Sequence, residues 1–161
     1  RMAETWTDEE TENDPIAVKI GLFCTWALDY RNLMAFLEKE GVKGPFLKCD
    51  IPSPPAEVFQ GQTDAGWREF PLSDIRPYVQ KGCGLCEDLP AEESGLSVGA
   101  VEGLDGWNTV ILRTQNGTQL FRDAIEDGWL ETETLAQENL DHLKDAARNK
   151  RMRGRQNKND Q

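Results

Sequence analysis

Cys83-Gly84-Leu85-Cys86 places the tightest demand on how this chain can fold. Two thiolates two residues apart can reach one ion or cluster without backbone strain, so the stretch predicts a loop that presents a metal or an iron-sulfur group. Gly82 and Gly84 suit a backbone that wraps closely around such a group. Cys24 and Cys49 are the remaining cysteines. Two disulfides are possible in principle, but no secretory context is visible and 161 residues can build a core without staples, so reduced thiols or ligands are expected. A thioredoxin-like redox pair would open a helix just after a strand, whereas this pair precedes an acidic, proline-punctuated loop. There is no second Cys-x2-Cys, and His142, the single histidine, lies in a predicted terminal helix with no ligand spacing to the cysteines and reads as a helix-surface residue. Spacing alone therefore leaves iron-sulfur and structural zinc both open. Cys49, alone at the end of an extended stretch, reads as a small buried apolar residue.

The charge pattern bounds the partners. Residues 144–161 hold seven basic side chains against Asp145 and Asp160, so they carry +5 and leave the first 143 residues at −16 of the chain's net −11. An acidic body of this kind repels nucleic acid, and cations at the end of a helix ordinarily complement its dipole, so no nucleic-acid partner is expected. No apolar run approaches the roughly 20 residues that span a bilayer, so no membrane span is expected. The chain opens without an initiator methionine or an apolar leader, which predicts a cytoplasmic protein and the back part of a longer one.

Along the chain, residues 1–14 are acid-rich and predict a solvated lead-in. Ile16 to Phe23 predicts a buried strand that delivers Cys24 at its end, and Leu28, Leu33, Met34, Phe36 and Leu37 predict a helix over 27–40 stopped by Gly41. Glu57 to Gln60 and Trp67 to Leu72 predict a hairpin around Thr63-Asp64-Ala65-Gly66. Ser73 is expected to cap a short helix over 74–79. Leu96 to Val101 and Trp107 to Thr114 predict strands, followed by a tight hairpin turn at Gln115-Asn116-Gly117-Thr118 and a stretch over 119–127 that begins as strand and ends as helix at Gly128. Residues 129–135 read as extended. Leu140, Leu143, Ala146 and Ala147 predict a terminal helix over 138–152 that runs into the basic tail. The sum is an α+β protein with a mixed β-sheet and flanking helices, organised as the lead-in 1–14, one domain over 15–143 and the basic tail 144–161. No Gly-x-Gly-x-x-Gly follows a predicted strand, so a Rossmann dinucleotide site is not supported.

The order of these pieces resembles the beta-subunit family of coenzyme F-420-reducing hydrogenases and dehydrogenases. The residues that carry the resemblance are Ile20-Gly21-Leu22-Phe23-Cys24-Thr25-Trp26, Asp50-Ile51-Pro52 with Pro54-Pro55-Ala56-Glu57-Val58, Ile75-Arg76-Pro77, the Cys83/Cys86 loop with Asp88, Ser97-Val98-Gly99, and the run from Asp105 to Thr114. It covers about residues 15 to 153 and corresponds to the C-terminal portion of a family subunit.

The resemblance implies an oxidoreductase that joins a [4Fe-4S] cluster and FAD to the deazaflavin coenzyme F-420. It implies Cys24, Cys83 and Cys86 as cluster ligands, with the fourth supplied by Cys49 or by a residue outside this chain. It places Gly99 and the loop Asp105, Gly106, Trp107, Asn108 and Thr109 near the flavin, with Arg113 facing phosphate or reduced-flavin charge. Apart from the resemblance, Trp107 to Thr114 reads as an ordinary core strand. No side chain is expected to act as an obligatory acid or base, because the reacting atoms belong to cofactors. The implied partners are the other subunits of a hydrogenase, formate dehydrogenase or heterodisulfide-reductase-type complex. The competing expectation is a zinc-stabilised interaction module without redox activity.

Overall fold

The computed structural model describes residues 16–42, 44, 46–52, 56–101, 104 and 106–160. The predicted lead-in 1–14 and Asp105 lie outside them. The chain divides into two compact units, one formed by Arg1–Cys24 and Glu87–Met152, the other by Thr25–Cys86 and Arg153–Gln161. The α+β reading stands, but the strands form two three-stranded sheets, one in each unit.

In the first unit, β1 (Ile20–Leu22) pairs in parallel with β5 (Leu96–Ala100), and β5 pairs antiparallel with β6 (Asn108–Leu112), so this sheet is the mixed one. β1 is shorter than the β-branched run 16–23 suggests. The Lys19 carbonyl accepts from Gly95 and Leu96, and Phe23 donates to Val98 at 2.8 Å, so pairing continues past each end of β1. Small residues set the back of this sheet: a Cβ on Gly21 would lie 2.3 Å from the Ala91 side chain.

The expected hairpin turn at 115–118 is instead the first turn of α3 (Gln115–Glu126). Thr114 is its N-cap, its hydroxyl accepting from the Gly117 N–H at 3.1 Å. The cap satisfies a helix-end donor that a hairpin would have used otherwise. Residues 119–127 are accordingly helical from the start, ended by Gly128 at φ 77°. Residues 129–136 have no regular structure, where extended chain was expected over 129–135, and α4 (Gln137–Asn159) extends well beyond the expected 138–152.

The second unit is held by an apolar cluster. In α1 (Tyr30–Lys39) the Asp29 carboxylate accepts from Asn32, which starts the helix later than 27, and Leu33 and Leu37 face inward. They meet Val42, Phe59, Phe70 and Ile75, with Phe36 edge-on to Phe70 at 5.7 Å between centroids. Each large apolar side chain fully buried here contributes about 1.5–3 kcal/mol. The sheet against them is β2 (Lys48–Asp50), β3 (Val58–Thr63) and β4 (Gly66–Pro71), all antiparallel, with the predicted hairpin at Asp64-Ala65. A short α2 (Leu72–Ile75) and a 3-10 turn (Arg76–Tyr78) follow. Ser73 is inside α2 rather than its cap: Pro71 precedes the helix and no side chain caps it, because Pro71 fixes the chain direction at that end. Among the described residues no helix is long and apolar enough to cross a membrane.

Candidate functional site

In the second unit the Cys-x2-Cys sequence begins in a 3-10 turn over Lys81–Gly84, with Leu85 in the turn that follows and Cys86 just after it. Short polar and glycine residues cannot hold such a turn by packing, so hydrogen bonds do. Cys83 N–H donates to Gln80, Cys86 N–H to Cys83, and Gln80 N–H to the Ala27 carbonyl, while Leu28 and Val79 form an isolated bridge. The Ala27 N–H donates to Cys83 Sγ at 3.2 Å. An N–H aimed at sulfur stabilises thiolate charge, and cluster and zinc thiolates both accept such bonds. From α4, Asn157 donates to the Gly84 carbonyl at 2.8 Å and Arg153 to the Thr25 carbonyl at 3.3 Å. A Cβ on Gly82 would meet nothing within 4 Å, so one side of the turn is open to an incoming group.

In the first unit Cys24 follows β1. Its N–H donates to the Leu89 carbonyl at 2.9 Å, its own carbonyl accepts from the Lys150 ammonium, and its thiol is exposed. Residues 87–95 are pinned around it: the Asp88 carboxylate accepts from Glu92 N–H, and Arg151 pairs with Glu92. Ala91 takes φ 53°, a left-handed conformation uncommon outside glycine, and the carbonyl of the preceding Pro90 accepts from Arg113 at 3.0 Å.

All four thiols are free, and Cys49 is exposed on β2 opposite Gly61 rather than buried as its sequence surroundings predict. β2 is a short strand paired on its β3 side, so its side chains reach solvent. Among the described residues no group of three or more His, Cys, Asp or Glu side chains is gathered to hold a metal ion. The donor chemistry of the Cys83/Cys86 turn, two thiols with an N–H bond to one sulfur and open space beside Gly82, fits part of a thiolate ligand set.

The residues expected beside a flavin differ from one another in what they do in the structure. A Cβ on Gly99 would fall 2.0 Å from the Phe23 ring, so that glycine makes room for Phe23. Gly106 has φ 83°, Trp107 is 39% exposed, and Asn108 and Thr109 open β6 opposite Ala100 and Gly99. The Arg113 guanidinium donates to the Ser97 hydroxyl at 2.9 Å, Ser94 at 3.4 Å and the Pro90 carbonyl. It braces its own unit.

Over residues 1–138 the chain matches the family model for the C terminus of the coenzyme F420 hydrogenase/dehydrogenase beta subunit. The chain belongs to this family. Among family proteins it is 34% identical over 124 residues to the coenzyme F420 hydrogenase subunit beta of Methanothermobacter thermautotrophicus, an alignment covering 76% of this chain and 43% of that protein. It is 34% identical over 108 residues to a coenzyme F420-dependent sulfite reductase of Methanocaldococcus jannaschii, covering 66% of this chain and 16% of that protein. A chain of the F420-reducing [NiFe] hydrogenase complex from Methanosarcina barkeri superposes with a TM-score of 0.80 at 26% identity, covering 97% of this chain and 57% of that one. The chain thus spans about half the length of the hydrogenase relatives it matches.

Sequence reasoning missed Lys150, Arg151 and Asn157, which it placed in a solvated basic tail. The signal was present: Leu140, Leu143, Ala147, Lys150, Gly154 and Asn157 recur at three- and four-residue steps, and all are at least half-buried.

Proposed function

We propose that this chain is the cofactor-handling C-terminal part of one subunit of a coenzyme F-420-dependent oxidoreductase. In this reading Cys24, Cys83 and Cys86 serve as ligands of a [4Fe-4S] cluster, and the stretch from Gly99 through Gly106 to Thr109 lies beside FAD. The observation that carries it is the Ala27 N–H bond to Cys83 Sγ in a turn whose open side is marked by Gly82. Family membership supports the choice of a redox group over zinc.

A bound FAD would supply hydride exchange with a deazaflavin and single-electron exchange with a cluster held by Cys24, Cys83 and Cys86. The chain's own residues position these groups. The Ala27 N–H orients the Cys83 sulfur, Asn157 fixes Gly84 between the two cysteines, and Leu89 and Lys150 fix both backbone groups of Cys24. Gly99 acts through the Phe23 ring that it admits next to Cys24, and Arg113 through the β5 strand and the 90–94 turn that it braces. Asn108 and Thr109 offer hydrogen-bonding groups at the start of β6, and Trp107 an exposed ring face. The protein acts in the cytoplasm within a hydrogenase-type complex, consistent with the complex named for the Methanosarcina barkeri structure.

The test is anaerobic purification of the complete protein, followed by iron, sulfide, zinc and flavin analysis of wild type and Cys83→Ser. Wild type is expected to be brown-yellow with iron and sulfide, and Cys83→Ser to lose most of both. Zinc without iron would establish the interaction-module reading in its place, and full iron retention by Cys83→Ser would remove Cys83 from the ligand set.

A further inference from the structure

β1 stands at the edge of its sheet, in the order β1-β5-β6. In a strand the N–H and C=O of one residue point to one side, and those of the next residue to the other. Lys19 and Phe23 bond towards β5, the Lys19 carbonyl accepting from Leu96 and the Phe23 N–H donating to Val98. Ile20 and Leu22 therefore turn their backbone groups to the open edge, and among the described residues neither has a hydrogen bond beyond the sheet. Their side chains are 59% and 72% exposed. The register of Ile20 and Leu22 with Leu96 and Val98, and of these with Leu112 and Val110, puts all six side chains on one face. Of the six only Leu96 is buried; Val98 and Val110 are half-buried and Leu112 is exposed. The opposite face is filled: Ala91 and Ser94 lie against Gly21, Phe23 lies against Gly99, and Arg113 bonds Ser97.

Natural sheets protect an open edge with a proline, a charge or a bulge, and Ile20-Gly21-Leu22 holds neither proline nor charge. A parallel pair such as β1 with β5 ordinarily has both faces covered, by the helices that link parallel neighbours. The unprotected edge and the bare apolar face therefore call for one occupant, a further strand with its crossover helix. The hydrogenase relatives have the length to supply it: only 43% and 42% of two of them is aligned, and the family model matched from residue 1 is that of a C terminus. Residues 4–14 are acid-rich and offer no apolar alternation for such a strand. We propose that the β1 edge and the face of Ile20, Leu22, Val98, Val110 and Leu112 form an internal docking surface, occupied in the complete protein by a strand and covering helix from the polypeptide ahead of Arg1. That strand bonds the backbone of Ile20 and Leu22, and the helix covers their side chains. The inference rests on this chain being the C-terminal part of a longer subunit, as argued above, and on no cofactor.

The experiment uses the complete protein. Amide hydrogen exchange of the unaltered protein is expected to be slowed about 100-fold or more at Ile20 and Leu22 relative to open chain, as in a strand paired on both sides, and slowing of less than about tenfold at both overturns the proposal. The occupant is identified by replacing Leu22 with the photo-crosslinking residue p-benzoylphenylalanine and mapping the product by mass spectrometry. The expected product is an intramolecular cross-link to residues ahead of Arg1. A cross-link to a second copy, to another subunit or to residues 1–15 overturns the proposal, as does the absence of any cross-link. Should that replacement prevent folding, Leu112, on the same face of the sheet, carries the probe and decides by the same readout. Iron, sulfide and flavin measured on the same preparation separate this inference from the cofactor reading. Their absence overturns that reading while a cross-link ahead of Arg1 still supports the docking surface, and their presence without the cross-link overturns the docking surface alone.

Discussion

The two units differ in the balance of what they bury. The second has an apolar interior of Leu33, Leu37, Val42, Phe59, Phe70 and Ile75. The first buries Leu89, Leu96 and Val101 but also Ser94, Ser97 and Lys150, and its strands lie close to neighbours because Gly21 and Gly99 lack side chains. An apolar interior is non-directional and tolerates small shifts. Hydrogen bonds and close approaches are directional and fix atoms to fractions of an ångström. The unit that carries Cys24 and the stretch from Gly99 to Thr109 is thus the one with more directional contacts. The Cys83/Cys86 turn, although in the apolar unit, is likewise held by hydrogen bonds.

The largest effect that bears on this contrast is expected from Leu37→Ala. Leu37 is fully buried, and truncation there leaves a cavity worth about 2–5 kcal/mol. Denaturant unfolding measures the loss, and hydrogen exchange locates it. Loss of protection should concentrate in Tyr30–Lys39 and Val58–Pro71, while Leu96–Ala100 and Asn108–Leu112 keep theirs. Equal loss in both sheets would show that the apolar interior supports the whole chain and that the contrast is wrong.

Gly99→Ala tests the other side with one methyl group. The new Cβ would lie 2.0 Å from the Phe23 ring and 2.5 Å from the Phe23 Cβ, so rotating the ring cannot relieve it and the backbone of Phe23 must move. Overpacking of this kind costs about 1–3 kcal/mol. Exchange at the Phe23 and Cys24 amides, bonded to Val98 and Leu89, should accelerate most. Unchanged exchange there would mean that Phe23 does not transmit strain to the cysteine.

Much of the fold was legible because it is written in local chemistry. Leu33 and Leu37 share a helical face, Gly41 and Gly128 stop helices at positive φ, and Asp64-Ala65 lies between two β-rich runs. β2 was not legible: Lys48, Cys49 and Asp50 are all exposed, so no apolar alternation marks the strand. The division into two sheets depends on pairings such as Ile20 with Leu96, far apart in sequence. In the basic tail, charge concealed a buried stripe, because a reading that assigns every lysine to solvent stops the helical face at Ala147. The Cys83/Cys86 turn is a ligand candidate by its spacing, and Cys24 is one only through resemblance, since nothing in Gly21-Leu22-Phe23-Cys24 alone marks a ligand.

Asn116-Gly117 gives the most instructive misreading and the smallest predicted effect. Asn-Gly favours a two-residue hairpin turn, but Leu120, Phe121, Ala124 and Ile125 continue at helical spacing, and Thr114 three residues before Gly117 is a good N-cap. The glycine answers a packing need: a Cβ on it would lie 2.5 Å from the Gly95 carbonyl oxygen, and that carbonyl also accepts the Arg113 and Thr114 N–H groups. Thr114→Ala removes one hydroxyl acceptor and leaves these backbone bonds in place, so the expected loss is about 1 kcal/mol. Thr114→Ser, which keeps the oxygen, should recover most of it. Equilibrium unfolding of the two variants distinguishes the cases: if Ser is as damaging as Ala, the Thr114 methyl group matters more than the cap, and directional bonding explains less of the first unit's stability than the contrast claims.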